Sequence, residues 1–169
     1  MSKVFRIYVK KREEFAVEAK EVLENLRVQL KLNNLKDLSI VNRYDVEGVS
    51  EEVLKTGINT ILSEPMVDDV YMEEYPSSGI TFAIEFLPGQ YDQRADACEQ
   101  CFSILTGAND VKVKCAKLYD VVGEDLDLDK IQKFLINPVD QRLASLDKPL
   151  SLKAGCSTEN FTTKTTTEK

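Results

Sequence analysis

"NRYDVEG" spans Asn42–Gly48 and "KLYDVVG" spans Lys117–Gly123. Both carry Tyr-Asp-Val-x-Gly, with Tyr44 and Tyr119 standing 75 positions apart. A shared motif at one fixed spacing is the mark of an internal repeat. Around it, Leu38, Ile40, Tyr44 and Val46 alternate on one face, and Val113, Cys115, Tyr119 and Val121 do so at the same spacing. Period two predicts a half-buried β-strand in each copy.

The flanking segments repeat as well. Phe15, Ala19, Val22, Leu26 and Leu30 form an apolar stripe at helical spacing, and Tyr91, Ala95, Cys98, Phe102 and Leu105 form a second. Gly107 suits a helix C-cap. Beyond the strands, Ile58, Ile61, Leu62 and Pro65 recur 73 positions later as Ile131, Phe134, Leu135 and Pro138. These predict two more helices, each stopped near a proline. Glu51, Glu52, Asp127 and Asp129 sit at their starts, where the helix dipole favours negative charge. The opening strands, about Val4–Val9 and Ile80–Phe86, align with their inward phase slipped by one residue. Val70–Tyr75 would close the first unit; its counterpart near Gln141–Leu146 is a weak strand.

The expected fold class is therefore α/β of the α+β type. Residues 1–76 and 77–150 form two repeated β-α-β-α-β units with small, mainly antiparallel sheets, packed as a pseudo-twofold dimer. Each sheet, with helices on one face, is expected to bury that side only, and the units could meet face to face or edge to edge. Residues 151–169, rich in Thr and Lys and without periodicity, read as a disordered tail.

Composition narrows the chemistry. The chain has 169 residues, 43% of them hydrophobic, a net charge of −7 and no histidine. Without histidine there is no Ser-His-Asp or Cys-His catalysis and no His-containing zinc site. An acidic chain without a basic stripe is a poor nucleic-acid ligand. The densest basic group, Lys3, Arg6, Lys10, Lys11 and Arg12, is expected to flank a strand. No apolar run approaches the ~20 residues of a membrane span and no signal peptide is evident, so the expected location is the cytoplasm.

Cys98 and Cys101 make a Cys-x-x-Cys spacing. Cys98 aligns with Val22 and Cys115 with Ile40, both stripe positions, and free cysteine behaves as a small hydrophobe. The pair is expected two to three turns inside its helix, beyond the field that activates redox thiols. A zinc site would have to recruit Cys115 and Cys156. The structural reading of these thiols is preferred, with no metal and no redox role.

Two polar clusters remain. In "GQYDQRAD" (Gly89–Asp96), acidic residues at a helix start, with Asp92 and Asp96 partnered by Arg94, compete with a docking surface. "INPVDQR" (Ile136–Arg142) is the second. No catalytic carboxylate pair, Gly-rich phosphate loop or nucleophile elbow is evident in the sequence.

"RIYVKK", "VNRYDVEGVSEE", "ILSEPMVDDVYMEE", "AIEFLPGQYDQRADACEQC" and "INPVDQRLASLDKP" resemble the N-terminal region of the large, single-chain phosphoribosylformylglycinamidine synthase, also called formylglycinamide ribonucleotide amidotransferase. The resemblance covers roughly Val4 to Leu150. Each half also resembles the small subunit that the split form of that enzyme uses as a dimer. The resemblance implies a place in de novo purine biosynthesis, in an enzyme that forms an amidine from ATP, formylglycinamide ribonucleotide and glutamine, with magnesium. The synthetase and glutaminase sites lie in later domains, so it implies no catalytic, cofactor or metal residue in this chain. It implies a non-catalytic scaffold that bridges the two, in cis or in trans. Gln90, Arg94, Asp96, Asn137 and Arg142 are the expected docking residues. Arg94→Ala and Arg142→Ala are expected to weaken association without disturbing the fold. The alternatives are a stand-alone subunit working in trans and a small-molecule sensor.

Overall fold

The computed structural model describes residues 3–152. The chain runs β1 (Val4–Lys11), α1 (Val17–Gln29), β2 (Leu35–Glu47), α2 (Glu51–Gly57), β3 (Asp68–Met72), β4 (Ile80–Phe86), α3 (Gln93–Thr106), β5 (Lys112–Gly123), α4 (Leu128–Leu135) and β6 (Gln141–Ala144). A π-helical turn over Ile58–Leu62 extends α2. The strands form one antiparallel sheet in the order β3-β1-β2-β5-β4-β6. The units thus meet edge to edge. Their long central strands, β2 and β5, pair along almost their whole length.

Asn42 faces Lys117 in this ladder. These two positions are equivalents in the repeat, so the pseudo-twofold axis passes between them. The outer strands obey the same spacing. Phe5 faces Val46 and Ile7 faces Tyr44; 75 positions on, Ile80 faces Val121 and Phe82 faces Tyr119. The expected one-residue slip is therefore corrected: the opening strands are in phase. β1 misleads because Val4 through Val9 are all buried, so both of its faces read as core. The third strand of the first unit also begins earlier than expected, at Asp68, and ends at Met72.

The helices lie on one face and exchange partners across the axis. Leu54 of α2 and Ala95, Cys98 and Phe102 of α3 share a core over Phe5, Ile7, Tyr44 and Val113. Ala19 and Leu26 of α1 share another with Ile131 of α4, over Leu38, Phe82 and Tyr119. Each core thus contains one helix from each unit, which ties the halves more tightly than a simple edge contact.

The motif glycines follow from the same symmetry. Gly48 has φ +95, and a Cβ there would lie 2.8 Å from the Asp110 carbonyl oxygen. A Cβ on Gly123 would clash with the carbonyl of Asn34. Each glycine lets the other unit's central strand begin against it, a close approach that no larger residue permits.

The face away from the helices is not bare, contrary to the one-sided sheet expected. Residues 145–152 cross it as a strap. Arg6 grips Asp45 with two hydrogen bonds of 2.7 and 2.9 Å and donates to the carbonyls of Leu146 and Asp147. Arg43 donates to the Ser145 carbonyl at 2.9 Å. Glu47 accepts from the Ser151 hydroxyl and from the Leu152 amide. Arg6, Arg43, Asp45 and Glu47 are all buried, and buried charges persist when paired and hydrogen-bonded. Arg6 therefore lies inside a strand rather than flanking one. Ser151 and Leu152, expected to open a disordered tail, are instead bound; the rest of the expected tail, with Cys156, lies outside the described residues.

Among the described residues, no helix is long and apolar enough to cross a membrane.

Candidate docking site

Four of the five expected docking residues gather at one end of the second unit. β4 and β5 pair from Ile80–Val121 to Ile84–Lys117, and there the ladder stops. Glu85 and Phe86 continue beside β6 instead, while β5 from Lys112 to Ala116 keeps only β2 as a strand neighbour. The parting strands open two adjoining clefts. One, of about 750 Å³, is lined by Tyr91, Arg94, Lys117 and Tyr119 among others. The other, of about 470 Å³, is lined by Gln90, Asp96, Glu99 and Arg142 among others. Glu85, Phe86, Tyr91, Asp92 and Cys115 belong to both.

Local chemistry fixes the rim. Pro88 and Gly89 turn the chain, with Gly89 at φ +89 and the Gln90 amide donating to the Leu87 carbonyl. Asp92 is the N-cap of α3; its side chain accepts from the amides of Arg94 and Ala95. The helix begins at Gln93, so Gln90 and Tyr91 precede it, contrary to the expected stripe that started at Tyr91. Phe15 likewise precedes α1. Asp96 accepts from the Tyr91 hydroxyl and from the Gln100 amide, and the first of these raises the Tyr91 phenol pKa. The expected partnering of Asp92 and Asp96 by Arg94 does not occur.

Arg94 reaches across the axis and donates to the Asn42 side chain. Its repeat equivalent, Glu18 at the start of α1, binds Lys117 at 2.8 Å. The two contacts are images of each other: a first-turn helix residue of one unit meets the axial strand residue of the other. Arg142 binds Glu85 at 2.8 Å, and Lys114 binds the same carboxylate at 3.2 Å. Glu85 is buried. Arg142→Ala therefore strips a buried carboxylate of one of its two cations and should cost stability as well as weaken association. Asn137 lines neither cleft. It holds the adjoining turn, its carbonyl accepting from the amides of Asp140 and Gln141, while the Asp140 carbonyl accepts from Leu87. That bond ties the "INPVDQR" turn to the "LPGQ" turn.

Of the thiols, Cys115 lines both clefts, and Cys98 packs in the same core cluster. Cys98 lies in the second turn of α3, nearer the start than expected, and Cys101 is exposed. Burial nonetheless pushes the Cys98 thiol up to about 11 and the Cys115 thiol up as well. Both therefore stay protonated near neutral pH, the opposite of a redox-active thiolate. Among the described residues, no three His, Cys, Asp or Glu groups are placed to hold a metal ion.

Sequence reasoning missed Glu85, Glu99 and Lys114. The apolar–polar alternation of β4 marks Glu85 as outward-facing, and nothing local signals that two cations cover it. No protein-family model matches the chain, and no curated protein matches it.

Proposed function

We propose that the chain is a non-catalytic scaffold domain of the phosphoribosylformylglycinamidine synthase type. In this reading it bridges a synthetase and a glutaminase domain in de novo purine biosynthesis. The observation that supports it best is the fused dimer: two units in one register about the Asn42–Lys117 axis, as expected of a tandem copy of a dimeric small subunit. The domain's role follows from the chemistry of ammonia transfer. Ammonia made at one site must reach another without protonation or loss to water, which demands tight, oriented docking of the two catalytic parts. The rim formed by Gln90, Arg94, Asp96 and Arg142, steadied by the Asn137 turn, is the docking surface. ATP and magnesium belong to the partner domains, joined in cis or acting in trans.

Mixing the chain with a purified synthetase–glutaminase remainder and measuring glutamine-dependent turnover tests this. The expected result is turnover well above that of the remainder alone. An unchanged rate, together with no association in calorimetry, removes the proposal.

The 750 Å³ cleft favours a second reading, a small-molecule sensor, because its size suits a ligand pocket and aromatic and charged groups converge on it. A thermal-shift screen with glutamine, nucleotides and amino acids separates the two. A ligand that raises the melting temperature, in the absence of any effect on turnover, favours the sensor.

A further inference from the structure

We propose that the parted end of β4 and β5 receives an extended, basic segment of a partner protein, which displaces the Glu99 carboxylate from the Val113 amide and adds as a strand to the edge of β5 that has no strand neighbour. This deepens the docking reading and rests on it for the partner, though not for the geometry.

An edge strand exposes alternate amides and carbonyls that another chain can pair with. The Val113 amide points away from β2, since it donates to the Glu99 carboxylate at 3.0 Å. Alternation along an antiparallel strand puts the Cys115 amide and carbonyl on the same side. The Glu99 oxygen thus stands where a peptide carbonyl of an added strand would lie. In the first unit the equivalent amide, that of Leu38, is held within its own strand by the Asp37 side chain at 2.8 Å, and Arg27 of α1 donates to the carbonyls of Leu35 and Lys36 just before it, both at 2.8 Å. The repeat equivalent of Arg27 is Ser103, too short to do this.

Charge selects the occupant. The 470 Å³ cleft beside this edge is walled by Glu85, Asp92, Asp96 and Glu99 against Lys114 and Arg142. Both cations are directed at Glu85. The other three carboxylates accept from neutral donors and form no salt bridge among the described residues. An incoming strand carrying Lys or Arg at alternate positions would complement them.

The test uses the full chain and an acetylated, amidated pentapeptide, Lys-Val-Arg-Val-Lys, followed by amide hydrogen exchange and by anisotropy of a labelled copy. Saturating peptide should slow exchange at Val113 and Cys115 by about tenfold or more. A peptide N-methylated at alternate residues should not bind. Glu99→Lys should weaken binding by roughly tenfold, and Glu99→Gln, which removes the negative charge without reversing it, by less; melting curves verify that both variants fold. Protection that maps elsewhere, or equal binding of a Glu-Val-Glu-Val-Glu peptide, overturns the proposal. If the catalytic remainder still associates in that case, the scaffold reading stands without it.

Discussion

The two halves of the molecule share a plan and differ in how it is finished. Asp45 and Asp120 occupy the same place in the Tyr-Asp-Val-x-Gly motif, and both are buried. Asp45 holds a buried arginine, Arg6, which in turn holds the strap. Asp120 accepts instead from the amides of Ser78 and Gly79, in the link between the units. The first half uses its carboxylate to anchor the strap, and Arg27 covers the carbonyls at the start of its central strand. The second uses the equivalent group for its own connection, and the two clefts beside Glu85 open at its end. The same motif position thus serves different contacts in the two copies.

Breaking the two aspartates separately is the sharpest probe of this difference. Asp45→Ala leaves Arg6 buried without its carboxylate and should cost about 3–5 kcal/mol in chemical unfolding. Asp120→Ala leaves two amides without acceptors and should cost about 2–3 kcal/mol. Equal effects would mean that the strap contributes nothing beyond the motif itself. Core truncations should come out nearly symmetric: Leu26→Ala and its equivalent Phe102→Ala are both fully buried and should each cost about 3–5 kcal/mol. A large inequality would show that the two helix-exchanged cores are not equivalent.

Smaller effects should follow at the edges. Arg27→Ala, which uncovers two carbonyls, should cost about 1–2 kcal/mol, whereas Ser103→Ala should be near neutral by thermal unfolding. The thiols give the smallest effect near neutrality and a pH signature above it. Cys98 ionises near pH 9 when unfolded and near 11 when folded, because burial disfavours the thiolate. Its contribution is present below pH 9 and is lost as pH rises from 9 to 11, since only the unfolded state gives up the proton there. Cys98→Val should flatten that part of the stability–pH curve. Neither chelator nor dithiothreitol should shift the melting temperature; a fall of several degrees would point to a metal or disulfide instead.

The repeat was legible because its motif residues are the ones that geometry constrains. Tyr44 and Tyr119 face the helices, and Gly48 and Gly123 admit the opposing strand. The phase of β1 was not legible, because the strap over Arg6 and Tyr75 over Tyr8 bury its second face and erase the alternation that reveals orientation. The strap itself, Ser145–Leu152, has no periodicity; it is held by its carbonyls, a glutamate and two distant arginines, and backbone acceptors leave no pattern in sequence. Of the docking residues, the helix-start cluster was recognisable from Pro88-Gly89 and the capping Asp92. Its neighbours Glu85 and Lys114 were not, because the parting of β4 from β5 is a property of pairing rather than of either strand.

The cross-axis contacts offer the most direct test of the claim that one half docks while the other does not. Glu18→Ala and Arg94→Ala remove equivalent first-turn residues from the two halves. Calorimetric titration of each against a synthetase–glutaminase remainder should give wild-type affinity for Glu18→Ala and a loss of about tenfold or more for Arg94→Ala. The same affinity for both variants and the unaltered chain would contradict the account.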